Sequence, residues 1–379
     1  MKDAVSRIVS AGDSDQQKVA KIYEAVMKLE NTSFTREHSA AENKAAGIRT
    51  KNADDIWEAK RGTADQITLL FVAMVRAAGL QAFSMDVTNR DRAVFVSSFL
   101  DKDQLDDEIA IVRIDGKEQF FDPGQRYCAF GQLHWKHTVT QGLREMNGIT
   151  AIAKTPSASA AQAQTSRVAN LDLDPDGKVH GFVRITMAGV PALEWRQRAL
   201  SSDETEVKRE FEQYVQSGLP PGVIVKTNHF VGLDDWNSAL MVQLDVTGSL
   251  GTATAKRVLL PSSFFEAGSP PRFVHSNRET PVYLLYANEV QDSVIISLPK
   301  NFKVESLPKD ANIPLPNNAV FTAEYAVNDN EYTLKRLLVL ANFYFEPGDY
   351  PGLKDFYQKL NTQDQEQVVL TASAGGTGQ

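Results

Sequence analysis

Ile67, Leu70, Phe71, Met74 and Val75 recur at the spacing of one helix face, and Gly79 follows where a left-handed C-terminal cap belongs. The pattern predicts a buried helix from about Ala64 to Ala78. A helix this apolar needs other elements to cover it, so it fixes the centre of a layered domain. Thr63 stands at the N-cap with Gln66 three residues on, the capping-box arrangement in which each side chain satisfies an orphaned backbone N–H. That structural role accounts for Thr63 without any chemistry.

The segments that follow read as strands. Residues 81–88 alternate, an irregular charged stretch comes next, and Glu108–Ile114 and Lys117–Phe121 flank a turn at Asp115-Gly116. Upstream, Val19, Ile22, Tyr23, Val26 and Met27 form a shorter amphipathic helix, with Asp13 or Ser14 as its cap.

The stretch from Arg61 to Phe83, with Phe120-Phe-Asp-Pro-Gly124 downstream, resembles the core of the transglutaminase-like superfamily, which shares the papain-like thiol fold. The likeness covers about residues 15–145 and follows the family's order of helix, strand and hairpin. It implies a bacterial envelope protein of the branch that carries flanking β-domains. Family members hold the nucleophilic cysteine at the N-terminus of the central helix, where the dipole favours a thiolate. Here that position is Thr63, whose hydroxyl would need an adjacent general base to attack a carbonyl. The family's general-base histidine stands at the head of the first hairpin strand, a place that here reads Asp106-Asp107-Glu108. The aspartate that orients the base matches Asp122 in Phe121-Asp122-Pro123-Gly124. The resemblance therefore implies triad positions Thr63, Glu108 and Asp122 with the thiol and the imidazole substituted. Such a protein is expected to be non-catalytic, a binding or scaffold module for a peptide, protein or glycan ligand in the envelope.

A competing expectation rests on Cys128, six residues after Asp122, with His134 and His137 following. Folded back, these residues would give a Cys-His pair for thiol acyl transfer or peptide hydrolysis, or a three-ligand zinc site. Alternatively, Cys128 is a small buried hydrophobe between Tyr127 and Phe130. The cluster Asp101, Asp103, Asp106, Asp107 and Glu108 lacks a glycine to bend it around calcium and reads as solvated loop charge. Asp172-Leu-Asp-Pro-Asp-Gly177 has carboxylates at calcium-loop spacing but Val183 at the twelfth position, and reads as a hairpin turn. No metal and no cofactor is expected. His38, His180, His229 and His275 have no motif partner.

The single cysteine precludes an internal disulfide. A net charge of −8 with no Lys/Arg run argues against nucleic acid or an anionic membrane as partner. No stretch approaches the ~20 apolar residues of a membrane span, and residues 1–7 lack the apolar core of an export signal. A periplasmic or envelope location follows from the resemblance alone, with the chain read as a piece of a longer exported protein.

The expected organisation is a degenerate transglutaminase-like domain over residues 1–150, a small-residue linker over 151–166, and a β-rich, sandwich-like accessory domain over 167–379. The fold class is α+β. Two helices are expected to interrupt the β-rich half, one capped by Ser201 with Glu204 and one over 353–360. Residues 371–379 are expected to be a flexible tail.

Overall fold

The computed structural model describes residues 1–35, 39–45, 51–99, 101–146, 148–254 and 256–372, so His38 and the end of the tail lie outside the described residues. The chain is α+β and divides into two compact units, residues 1–158 with 193–201 and 234–237, and residues 159–192, 202–233 and 238–379.

In the first unit, helices α1 (Asp15–Met27), α2 (Ala53–Ala59) and α3 (Ala64–Ala77) cover a five-stranded antiparallel sheet. Its strands are β1 (Gln81–Val87), β2 (Asp107–Ile114), β3 (Lys117–Phe121), β4 (Gln141–Met146) and β5 (Ile149–Lys154), in spatial order β3-β2-β1-β4-β5. The helix over 64–77 is the one expected from periodicity. Its apolar face, Ile67, Leu70, Phe71, Met74 and Val75, is buried with Val19, Ile22, Tyr23 and Val26 of α1 and with Ala82, Ala110, Val112 and Phe121 of the sheet. Gly79 has φ +89°, the left-handed cap that its position predicts. The opposite face of the sheet buries a smaller cluster, Met85, Val87, Ile109 and Ile111.

The expected linker over 151–166 is shorter in the structure. Residues 149–154 form β5, paired along its length with β4, and Ala163–Leu173 is already the first strand of the second unit. The connection between them runs over residues 155–162 and ends in a 3-10 turn at Ala160–Gln162. Asn147-Gly148, between β4 and β5, is a two-residue hairpin signal that the sequence reading missed.

The second unit holds an eight-stranded mixed sheet. Its strands in chain order are β6 (Ala163–Leu173), β7 (Lys178–Gly189), β8 (Val223–Val231), β9 (Leu240–Ser249), β12 (Asn288–Ser297), β14 (Ala311–Leu315), β15 (Ala319–Asn328) and β16 (Glu331–Leu340). Their spatial order is β8-β9-β7-β6-β12-β16-β15-β14, antiparallel except for the parallel pair of β6 with β12. A four-stranded sheet comprises β10 (Thr252–Ala253), β11 (Arg257–Pro261), β13 (Phe302–Ser306) and β17 (Gln367–Ala372). Thr371 and Ala372, expected in the tail, belong to β17.

Helix α4 (Val190–Ser201), which sequence reading missed, follows β7 directly. Helix α5 runs over Glu204–Gln216 and is capped by Asp203, whose side chain accepts from Glu206 N at 2.9 Å, instead of by Ser201. Helix α6 spans Tyr350–Asp364, longer at both ends than expected. A charged chain crosses the buried side of this unit. Arg167 bridges Glu266 and Asp292, and Arg336 donates two 2.8 Å bonds to Asp364 while its Nη1 lies 3.5 Å from Asp292.

Candidate functional site: a histidine between two carboxylates

The candidate site of the first unit is assembled where the start of α3 meets the ends of β2 and β3. Thr63 caps α3 as expected, its hydroxyl accepting from Gln66 N while Gln66 Oε1 accepts from Thr63 N at 3.0 Å. Ala64 N, another orphan donor of this first turn, gives its hydrogen bond to Ser33 Oγ at 3.1 Å. Much of the N-terminal donor capacity that would favour an anion at the helix end is therefore already spent on the protein.

Asp122 follows the last residue of β3. In the hairpin register Ala110 faces Phe121, so Ile109 faces Asp122, and Asp107, two residues earlier, is on the same side. Glu108 points to the opposite face and stands directly across from Asp86 of β1. The residue on β2 that shares the face of Asp122 is thus Asp107, one position before Glu108. Half-buried Glu108 is pushed up to about 7 by burial, against a Ser84 hydrogen bond, with the charges of Asp86 and Asp65 adding to the rise.

The imidazole missing from the head of β2 arrives from a different part of the chain. A 3-10 turn, Trp135–His137, inserts His137 between the two carboxylates. Its Nδ1 lies 2.7 Å from Asp122 Oδ2 and its Nε2 lies 2.8 Å from Asp107 Oδ2. A neutral imidazole carries one N–H, so only the imidazolium donates to both oxygens. Burial alone would lower the pKa of His137. The charge of Asp122 and the two hydrogen bonds more than offset burial, pushing it up to about 10. Burial likewise opposes ionisation of Asp107, and the bond to His137, its charge and the Asn89 bond together outweigh it, holding that carboxyl below its ordinary range. Asn89 Nδ2 gives Asp107 Oδ2 a further bond at 2.9 Å, and His134 N gives one to Asp122 Oδ2 at 3.0 Å.

Gly124 explains how this turn sits so close to α3. A Cβ there would fall 2.7 Å from Thr68 Oγ1 and 2.8 Å from Ala64 O, and Asn31 Nδ2 holds the Gly124 carbonyl at 2.8 Å. Thr68 Oγ1 in turn lies within hydrogen-bond reach of Glu108 O, tying β2 to the first turn of the helix.

All three residues of the alternative set, Cys128, His134 and His137, are buried. Cys128 is buried, and its Sγ donates to Gln132 O at 3.5 Å. Burial, with the charge of Asp122, pushes its thiol well up, away from thiolate character. His134 Nδ1 accepts from Lys136 N at 3.2 Å, and burial, then the charge of His137, holds its ring well below the ordinary histidine range. His137 has both nitrogens committed to carboxylates. No group of three or more His, Cys, Asp or Glu side chains among the described residues has the arrangement of a metal site. Among the described residues no helix is long and apolar enough to cross a membrane.

Comparison with known proteins adds two matches. Residues 256–370, within the second unit, match a family described as a domain of unknown function with solved structure (DUF3858). The whole chain is similar to a solved structure from Parabacteroides distasonis described as a putative protease, at 13% identity and a TM-score of 0.50. The similarity covers 98% of this chain and 55% of that one, so this chain spans about half the length of its structural neighbour. At that identity the likeness shows the fold. No curated protein matches the chain.

Proposed function

We propose that the first unit is a transglutaminase-like domain that no longer performs acyl transfer and serves as a binding or scaffold module for a peptide, protein or glycan segment. The carrying observation is the double engagement of His137, which leaves no ring nitrogen to take a proton from a nucleophile. Thr63, at the family's nucleophile position, spends its hydroxyl on a helix cap, and a hydroxyl without a base is a poor nucleophile. The helix, strand and hairpin order and the Asp-Pro turn support the transglutaminase-like reading, and the structural neighbour described as a protease agrees with it. An envelope setting rests on the family resemblance.

The test is turnover. The protein is incubated with a mixed peptide library, and separately with a glutamine donor and a primary-amine acceptor, and products are read by mass spectrometry. The expected result is no turnover in the wild type beyond that of Thr63→Ala and Cys128→Ala. Turnover abolished by Thr63→Ala, or by Cys128→Ala, overturns the non-catalytic reading.

A further inference from the structure

Residues 262–281 join β11 to the short strand Val282–Tyr283 with no helix or strand of their own. Connections this long inside a compact domain are uncommon, and those that are held in place are often functional. This one is held. Tyr350 Oη and Lys354 Nζ of α6 both donate to His275 O, at 2.8 and 3.0 Å. The Phe273 ring packs edge-on against Tyr357 and Tyr350, with centroids at 4.9 and 6.0 Å. Phe273 has φ +57°, a conformation that costs a residue with a Cβ free energy and persists where its surroundings enforce it.

Beside this anchor lies an open cavity of about 610 Å³, with Arg272, His275, Asn277 and Arg278 in its wall and Glu279 as its carboxylate. Arg167, Arg257 and Arg336 of the same unit are ion-paired. Neither Arg272 nor Arg278 has a carboxylate within 4.0 Å among the described residues; Arg278 Nε donates to Thr280 O, and Arg272 lies over the Tyr357 ring. A comparable cavity in the first unit, lined by Lys21, Lys28 and Lys60, carries less. There Lys21 and Lys28 are bound to Asp13 and Glu24, and Lys60 lies over Trp57.

The main chain supplies the second feature. Among the described residues, no backbone N–H from Arg272 to Thr280 donates to a protein acceptor, and every residue of that run except Phe273 is exposed. The wall therefore offers two guanidinium groups that pair with no carboxylate among the described residues, together with a length of backbone whose N–H groups are open, in a chain whose net charge is −8. Unpaired backbone suits another extended main chain, and arginine suits carboxylates bidentately.

We propose that this cavity binds an extended acidic peptide segment, with Arg272 and Arg278 pairing its carboxylates and the exposed backbone of residues 274–280 pairing its main chain. The site is in the second unit and does not depend on the proposed fate of the first.

Fluorescence anisotropy of the full chain with a fluorescein-labelled peptide of alternating Glu and Gly residues, against the same peptide with Gln for Glu, tests it. The acidic peptide should bind at least about fivefold more tightly than the neutral one, weakening as salt is raised toward about 0.15 M. Arg272→Ala with Arg278→Ala should lose that preference, and Arg278→Lys should retain part of it. Both positions are exposed, so circular dichroism should show the fold unchanged. Equal binding of the two peptides, no binding of either, unchanged binding by the double variant, or complete displacement by equimolar inorganic phosphate would each overturn the proposal.

Discussion

The Nδ1 atom of His137 lies 2.7 Å from the Oδ2 atom of Asp122 inside the first unit, where both side chains are buried. A second carboxylate, Asp107, closes the other end of the ring. Two carboxylates around one imidazole stabilise its charged form, and a charged imidazole is an acid already holding its proton. The arrangement therefore ties the Trp135–His137 turn to the ends of β2 and β3.

His137→Ala should destabilise the first unit by about 3–5 kcal/mol, because it leaves Asp107 and Asp122 facing one another without their cation. Asp107→Asn removes one charge and keeps hydrogen-bonding capacity, so its cost should be smaller, about 1–2 kcal/mol. Urea unfolding followed by circular dichroism measures both.

The same triad sets a pH dependence. The folded pKa of His137, about 10, is above its ordinary 6.5, so its contribution to stability is full below pH 6.5 and is lost as pH rises through 10. Asp107 is shifted the other way, so its contribution is present above its ordinary 3.8 and is lost as pH falls through its depressed folded value. Unfolding midpoints measured from pH 3 to 10 should show both limbs, and His137→Ala should flatten the alkaline one by up to about 1.4 kcal/mol per pH unit.

Thr63→Ala should cost about 1 kcal/mol, the usual worth of an N-cap, and should leave ligand binding by the second unit untouched. Thr63→Cys should yield a thiol that alkylates at the helix end yet forms no acyl-enzyme, since His137 has no nitrogen free to serve it. Intact-protein mass spectrometry after incubation with iodoacetamide, and separately with an unactivated peptide substrate, distinguishes alkylation from acylation.

Arg336 is 3% exposed and holds both Asp364 and Asp292. Arg336→Ala should destabilise the second unit by about 3–5 kcal/mol, whereas Arg257→Ala, which breaks an exposed pair with Glu305, should leave stability nearly unchanged. Thermal melts of the two variants, read side by side, check the contrast.

Much of the first unit could be read from residues alone, because helix periodicity, the Thr63 cap and the hairpin around Asp115-Gly116 are local signals. Asp122 was legible from its motif. Its partner was not, because His137 reaches it from a turn fifteen residues downstream whose sequence carries no periodicity. The choice between Asp107 and Glu108 turned on a one-residue register, which flips every side chain to the other face of a sheet and is fixed by pairing. In the second unit individual strands were legible from alternation. The parallel pairing of β6 with β12 was not, since it joins segments more than a hundred residues apart.

The most direct test of the account is the protonation state of His137, read by ¹⁵N and ¹H NMR of histidine-labelled protein from pH 6 to 9. The account predicts that both ring nitrogens of His137 carry slowly exchanging protons throughout this range and that His137→Ala removes those signals. A neutral ring at pH 8 that titrates near its ordinary 6.5 would contradict it, and would make His137 available as a base.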